Sequence, residues 1–358
     1  PRRALALLAA ALHAAQPATL VAVTGTNGKT STVDFLRQIW TLDGRHAASL
    51  GTLGLVARGF PPGPSLTTPD PVALHATLAA LAAGGVTHAA MEASSHGLDQ
   101  RRLDGVRLAA AGFSNLTRDH LDYHGTMESY RAAKLRLFGV LLPAGATAVA
   151  NADMEAPSLA ELRAIAAARG HRLMTVGEAG EAIRLRAQRP RPDGQELDLE
   201  VFGTRATVAL ALPGRFQADN VMMAAALAVA TGTDAARAVA LLPRLGGVRG
   251  RMELAARLPN GAAVYVDYAH TPDALERLLA ALRPHVAPGA KLHVLFGAGG
   301  DRDPGKRPLM GAACAAHADV CWVTDDNPRS EDPAAIRAAV LAACPGGIDA
   351  GERAGAIP

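Results

Sequence analysis

Val21-Ala-Val-Thr-Gly-Thr-Asn-Gly-Lys-Thr-Ser31 decides the reading of this chain. A β-branched run feeds a glycine turn, and a lysine with two hydroxyls then opens a helix. Such a turn leaves backbone N–H groups at a helix N-terminus, where the dipole favours bound phosphate. Lys29 is suited to the outer phosphates of a nucleoside triphosphate, and the Thr30 hydroxyl to Mg²⁺. Gly25, Thr26, Asn27, Gly28 and Ser31 complete the cradle. The strict G-x-x-x-x-G-K-[ST] pattern requires glycine where Val23 stands, so this loop is a shortened relative of it.

Outward from the loop, short apolar strands alternate with amphipathic or alanine-rich helices, the pattern of a parallel sheet covered on both faces. Strands are expected at 20–24, 88–92, 108–114, 146–150 and 173–176, and helices at 30–41, 71–83, 127–138 and 158–168. Prolines mark an exposed loop at 61–64. Segments 183–187, 197–202 and 206–212 alternate like antiparallel edge strands, and 219–230 is a strongly apolar helix. After Gly246-Gly247 the alternation restarts, with strands near 263–267, 291–296 and 320–324. The expected fold is therefore α/β: a central P-loop domain over 1–247 with a mostly parallel sheet flanked by helices, then a smaller Rossmann-like α/β domain over 248–358.

Composition narrows the class. With 358 residues there is room for about two domains. A net charge of +3 without a dense Lys/Arg stripe argues against nucleic acid. Cys314, Cys321 and Cys344 are odd in number and lack metal-ligand spacing, which fits a reducing compartment. Pro1-Arg-Arg and the apolar run after it mimic a signal peptide, but His13, Gln16 and Pro17 interrupt the run. It is too short for the roughly 20 apolar residues of a bilayer span. Residues 1–18 read instead as a remnant helix of a preceding segment, and the missing initiator Met points to a start inside a longer protein.

Ionisable groups gather at strand ends, where α/β sheets place ligands. In Met91-Glu-Ala-Ser-Ser-His-Gly97, Glu92 offers a carboxylate for Mg²⁺; a helix-capping serine beside a surface glutamate is the competing reading. Asn115-Leu-Thr-Arg-Asp-His-Leu-Asp-Tyr-His124 crowds ionisable groups into ten residues, which points to metal or substrate contact. Lys134, in Tyr130-Arg-Ala-Ala-Lys134, reads by itself as a snorkelling surface lysine.

These stretches, followed in order by Pro213-Gly-Arg-Phe-Gln-Ala-Asp-Asn220, Gly250-Arg-Met-Glu253, Val266-Asp-Tyr-Ala-His-Thr-Pro272, Gly299-Gly-Asp-Arg-Asp303, Gly305-Lys-Arg-Pro308 and Thr324-Asp-Asp-Asn-Pro-Arg329, resemble the Mur ligase family. Within it, the ordered set resembles the members that add the third amino acid of the peptide. The resemblance implies ATP-dependent amide-bond formation in peptidoglycan synthesis. Meso-diaminopimelate is joined to UDP-N-acetylmuramoyl-L-alanyl-D-glutamate through an acyl phosphate. It also implies a cytoplasmic, monomeric enzyme with no nucleic-acid or membrane partner.

By the same resemblance, Lys29 binds phosphate, Thr30 and Glu92 serve a first Mg²⁺, and His120 serves a second. Lys134 carries an N-carbamate that converts a cation into an anionic metal ligand. Asn220, Arg251, Asp267 and His270 surround the nucleotide, with Arg251 steadying phosphates on domain closure. Thr67, Thr68, Ser94, Gln100 and Arg102 contact the muramoyl-peptide, with Arg101 standing beside Arg102. Asp326, Asn327, Pro328 and Arg329 go with diaminopimelate, and Arg302 supplies a second cation. A guanidinium suits the distal carboxylate that lysine lacks. Rival readings are the same reaction with L-lysine or another diamino acid, a folylpolyglutamate- or cyanophycin-type ligase, and a non-catalytic ATP-binding subunit. The chain departs from the family in lacking most of an N-terminal domain, and it ends within a stretch, Asp349 to Ile357, that resembles the family's D-R-x-x-A-I.

Overall fold

The computed structural model describes residues 1–63 and 65–356. Pro64 of the expected loop and Ile357 of the terminal stretch lie outside the described residues. The chain divides into two compact units. The first comprises 1–189, 196–211 and 215–249; the second comprises 190–195, 212–214 and 250–358.

The first unit is built on a sheet of ten strands: β1 (Thr19–Thr24), β2 (Ala47–Gly51), β3 (Gly54–Ala57), β4 (His88–Glu92), β5 (Ala110–Phe113), β6 (Thr147–Asn151), β7 (Arg172–Gly177), β8 (Ile183–Arg191), β9 (Gly194–Val201) and β10 (Thr204–Leu210). Their order is β10-β9-β8-β7-β6-β5-β1-β4-β2-β3. The β1 run Leu20-Val-Ala-Val23 is wholly buried, as a strand covered on both faces requires. It pairs in parallel with β4 and β5, in a register that sets Val23 beside Glu92 and Thr24 beside Phe113. The carboxyl ends of three neighbouring strands therefore finish together. The glycine loop, the 93–95 turn and Ser114-Asn115 leave the sheet side by side.

Helices cover it: α1 (Arg2–Leu12), α2 (Lys29–Leu42), α3 (Pro71–Ala83), α4 (Ser95–Asp99), α5 (Leu121–His124), α6 (Met127–Arg136), α7 (Ala156–Arg169), α8 (Arg215–Ala230) and α9 (Ala235–Leu241). α2 buries Val33, Phe35, Leu36, Ile39 and Trp40 and packs on α8. α3 is opened by Pro71 and capped by Asp70, whose carboxylate accepts from the Val72 and Ala73 N–H groups. α1 lies on α3 and buries only Ala6 and Ala9. The helix expected over 127–138 stops at Arg136 and continues as a π-helical turn over Leu137–Leu141.

In the second unit, β13 (His293–Phe296), β14 (Val320–Thr324) and β15 (Ile348–Gly351) form a parallel sheet. With it go α10 (Pro272–Leu282), α11 (Lys306–His317), α12 (Pro333–Leu341) and the short α13 (Arg353–Ala356). Cys314, Cys321 and Cys344 are unpaired thiols within its core, beside Leu275, Leu279 and Val323. The strand expected near 263–267 forms, but not in this sheet. As β12 (Ala263–Val266) it pairs antiparallel with β11 (Glu253–Arg257). A turn closed by the Leu258 N–H on Ala262 O, with Gly261 at φ +85°, makes that local pairing.

His88, which opens β4, contributes a pH dependence. Arg45 carries only donors, so its Nη1, 2.7 Å away, makes His88 Nε2 the acceptor and puts the ring proton on Nδ1, against Thr87 Oγ1. Burial, reinforced by the Arg45 charge, lowers its pKa from 6.5 to about 4. The unfolded chain takes up this proton below 6.5 while the fold refuses it, so stability present at neutral pH is lost as pH falls towards 4. We expect about 1–2 kcal/mol of acid destabilisation from this group after screening. Urea titrations between pH 7 and 4.5 check it, and His88→Gln should flatten the dependence by that amount.

Candidate active site

The glycine loop is shaped by backbone that only glycine tolerates. Gly25 has φ +147°, and a Cβ there would lie 2.0 Å from Ser114 Oγ and 3.1 Å from the Asn115 backbone. Gly28 caps α2 in the left-handed region at φ +84°, and no side chain caps the helix. The loop is tied to β5's end. Thr26 N donates to Asn115 O at 2.9 Å, Asn27 N to Asn115 Oδ1 at 2.9 Å, and Ser114 Oγ to Asn27 O at 2.7 Å. These bonds hold the first amides of α2 open toward the loop, and Thr30 and Ser31 follow in its first turn. The geometry suits a phosphate. Asn220, on α8, is 4% exposed and approaches so closely that a Cβ on Gly28 would lie 2.2 Å from its Oδ1.

Two lysines converge on one carbonyl: Gly25 O accepts from Lys29 Nζ at 2.9 Å and from Lys134 Nζ at 2.8 Å. Lys134 is only 1% exposed, so the sequence reading of a snorkelling surface lysine is corrected. Its position on α6 turns it inward, with Nζ 4.5 Å from the centre of the Tyr130 ring. Burial, aided by the Lys29 charge, pulls its pKa well below the ordinary lysine value. A buried amine that gives up its proton more readily than an ordinary lysine is chemically fit to react with carbon dioxide. Tyr130, which sequence reasoning did not assign, is fully buried and shares a hydrogen bond with Thr26 Oγ1 at 3.1 Å. Burial pushes its hydroxyl up to about 12.

His120 stands at φ +52°, 3.5 Å from Asp119, in a cluster of rings with His96, Tyr123, His124 and Tyr130. Burial lowers the pKa of His96 and of His124. Glu92 is 2% exposed and held by Thr52, whose N–H donates to Oε1 at 2.7 Å and whose hydroxyl lies 3.3 Å from Oε2. Gly51 makes room for it, because a Cβ there would meet Oε1 at 2.0 Å. Among the described residues no group of three or more His, Cys, Asp or Glu side chains is arranged to hold a metal ion by itself. The available donors, a carboxylate and hydroxyls, are the hard oxygens that Mg²⁺ prefers, and Mg²⁺ habitually completes its shell with water and phosphate.

The muramoyl-peptide candidates form one hydrogen-bonded chain. Thr68 Oγ1 donates to Glu92 O at 2.9 Å and accepts from Ser94 N at 3.0 Å, while Ser94 Oγ caps α4 through Gly97 N. Arg102 donates to Thr68 O at 2.7 Å and twice to Gln100 Oε1. Arg101, at φ +62°, shares none of these bonds. Thr67 joins through Thr52 Oγ1 at 3.1 Å.

The remaining candidates belong to the second unit. Asp267 accepts from Met252 N and Ala269 N, both at 2.9 Å, and burial raises its pKa. Arg251 lies over the Tyr268 ring at 5.3 Å, and His270 Nδ1 donates to Tyr268 O. A cavity of about 510 Å³ is lined by Asp267, His270, Arg302, Asp326, Asn327 and Arg329, among others. Its rim is two loops zipped together. Arg329 Nη1 donates to Gly300 O at 2.6 Å, Gly300 N to Asn327 O at 3.2 Å, and Ser330 Oγ to Asp301 Oδ1 at 2.6 Å. Asn327 and Arg329 hold φ of +40° and +52° on either side of Pro328. Gly300 is required there, since its Cβ would fall 1.8 Å from Pro328 O.

The mostly parallel sheet and the phosphate loop at the carboxyl end of β1 define a phosphate-binding α/β class. Residues 23–228 match the Mur ligase middle domain and 250–357 the Mur ligase glutamate ligase domain, so the chain belongs to the Mur ligase family. It is 56% identical to the UDP-N-acetylmuramoyl-L-alanyl-D-glutamate–2,6-diaminopimelate ligase of Caulobacter vibrioides, over 99% of this chain and 74% of that protein. A solved structure of a ligase of that name is 35% identical with a TM-score of 0.73, covering 94% of this chain and 67% of that one. The fold is also shared by a Mycobacterium tuberculosis folylpolyglutamate synthase solved with ADP, at 20% identity and a TM-score of 0.75 over 99% of this chain and 85% of that one. Among the described residues no helix is long and apolar enough to cross a membrane.

Proposed function

We propose that this chain carries the ATP-dependent ligase that joins meso-diaminopimelate to UDP-N-acetylmuramoyl-L-alanyl-D-glutamate in peptidoglycan synthesis. Residues 1–247 serve as the ATP-binding domain and 248–358 as the C-terminal domain. The γ-phosphoryl group of ATP passes to a carboxylate oxygen of the dipeptide, releasing ADP. The amine of the amino acid then attacks the acyl carbon, loses a proton and expels inorganic phosphate. Such a transfer needs positioning and cations against spreading charge more than covalent help. The α2 amides and Lys29 grip the phosphates, and Thr30, Glu92, His120 and Lys134 as its carbamate are the candidate Mg²⁺ ligands. Mg²⁺ would neutralise charge between phosphate and acyl oxygen. Asn220, Arg251, Asp267 and His270 serve the nucleotide. Thr67, Thr68, Ser94, Gln100 and Arg102 serve the muramoyl-peptide. Arg302 and Asp326 to Arg329 serve the amino acid. ATP and a nucleotide-linked substrate fit a cytoplasmic enzyme, and we take it to act as a monomer.

One observation carries the reading: a buried Lys134 sharing the Gly25 carbonyl with Lys29 at the mouth of the phosphate loop. A surface lysine has no reason to be there. For the amino acid, support comes from Arg329 in the 510 Å³ cavity and from the named relatives. The test is phosphate release by the full-length protein with ATP, Mg²⁺ and the dipeptide substrate across a panel of diamino acids. We expect meso-diaminopimelate to be used and lysine poorly. Arg329→Leu should lower kcat/KM for diaminopimelate by about 10²-fold, as loss of a charged hydrogen-bonding partner does. Phosphate release with lysine alone would overturn the specificity.

A further inference from the structure

Besides His270, Arg302 and Arg329, the second unit's cavity is lined by two further basic residues, Lys306 and Arg353. Arg353, the first residue of α13, lines it together with Asp326. Its Nε donates to Thr324 Oγ1 at 3.3 Å, and that hydroxyl donates to Phe296 O at 3.4 Å, which fixes the guanidinium at the end of β14. Nη1 stands 3.9 Å from Asp326 Oδ1. That exceeds hydrogen-bond length, so the two groups face one another with bonding capacity to spare. Both side chains remain more than two-fifths exposed, at 42% and 43%, although each lines a cavity. Beneath them the chain is bare backbone. A Cβ on Gly297 would come within 2.9 Å of Asp326 Cβ and 3.3 Å of Arg353 Nη2.

We propose that Arg353 is a specificity-determining binding residue which, with Asp326, reads the non-reacting amino-acid head of the diamino acid. Arg353 takes its carboxylate and Asp326 its ammonium. This rests on the diaminopimelate reading. A cation and an anion about 4 Å apart present the complement of a zwitterion, and a guanidinium binds a carboxylate through two parallel N–H bonds. Chemistry decides which head is read. The attacking amine must be unprotonated, and a carboxylate beside it would hold its proton. Asp326 therefore belongs with the other ammonium. In diaminopimelate the carbon bearing that ammonium also bears a carboxylate; in lysine it bears none. Lysine offers the Arg353 guanidinium no carboxylate, so the residue acts on the choice of substrate rather than on the chemical step.

The experiment measures kcat and KM of the full-length protein and its Arg353→Met and Arg353→Lys variants, with diaminopimelate and with lysine. Arg353→Met should lower kcat/KM for diaminopimelate about tenfold or more, through KM, with kcat nearly unchanged. The value for lysine should move less than about twofold and the KM for ATP should stay put. Arg353→Lys, which keeps the charge but not the fork, should recover part of the loss. Equal losses on both amino acids, or an unchanged preference, overturn the proposal while leaving the functional reading standing. A wild-type protein that ignores diaminopimelate overturns both.

Discussion

Replacing Lys134 with methionine should lower phosphate release by about 10³-fold or more in kcat while leaving the protein at least as stable as before. The two halves have one cause. Lys134 is buried at 1% exposure, and burial with the neighbouring Lys29 charge pulls its pKa well below the usual lysine value. The fold holds that proton less tightly than the unfolded chain does, so stability decreases as pH falls below about 10.4 towards the folded value. Methionine has similar length, removes that penalty and forfeits one hydrogen bond to Gly25 O, worth about 1 kcal/mol, while Lys29 still serves that carbonyl. As the proposed carbamate, the same lysine would supply an anionic ligand for Mg²⁺ that methionine cannot. Urea denaturation at pH 7 and single-turnover phosphate release read the two halves separately. Wild-type activity should also fall in carbon dioxide-depleted buffer and return with bicarbonate. A variant that turns over like the wild type would remove Lys134 from the chemistry.

How far the sequence could be read depended on whether a feature is local. The β1–loop–α2 phrase was legible because the buried run, the glycine turn and the lysine all act within eleven residues, 21–31. Glu92 was legible as an acid closing an apolar strand. Its partner Thr52 was not, because it reaches Glu92 through β2, a strand with neither β-branched nor aromatic residues. Pairing with β4 makes β2 a strand, and no propensity in Ala47-Ala-Ser-Leu-Gly51 announces it. Lys134 looked like a surface group because helical periodicity says which face of α6 is apolar, not what lies across from it. Asn115 and Tyr130 were quoted within motifs, yet their work on the loop depends on the β1–β5 register and on α6 crossing beneath Thr26. β12 shows the opposite failure: its alternation was read correctly as a strand, but periodicity does not choose between a neighbour in the parallel sheet and one across a tight turn.

Gly25→Ala should cost more than Gly28→Ala, although the second sits closer to the lysine. Both glycines hold backbone that an L side chain resists, at φ +147° and +84°. Their surroundings differ in what can yield. The Cβ added at Gly28 meets the tip of the Asn220 side chain, whose amide is held by one bond to Gln217 Oε1 at 3.2 Å and can turn aside. The Cβ added at Gly25 meets Ser114 Oγ and, behind it, the Asn115 N and O atoms at 3.1 Å. Those backbone atoms are locked by β5 and by the Thr26 N–H, so the loop must move instead. Moving it displaces the carbonyl on which Lys29 and Lys134 both rest. A shift of about 1 Å there should cost about 10²-fold in turnover, and the loss of ATP affinity should be of the same order. Calorimetric titration with Mg²⁺ and ATP reads that loss, and thermal denaturation reads the strain. Asn220→Ala should recover part of the stability lost in Gly28→Ala, whereas Ser114→Ala should recover little of what Gly25→Ala loses, because the obstacle is main chain. Equal rescue in both pairs would show that the loop is held by side chains and that its register against β5 is incidental.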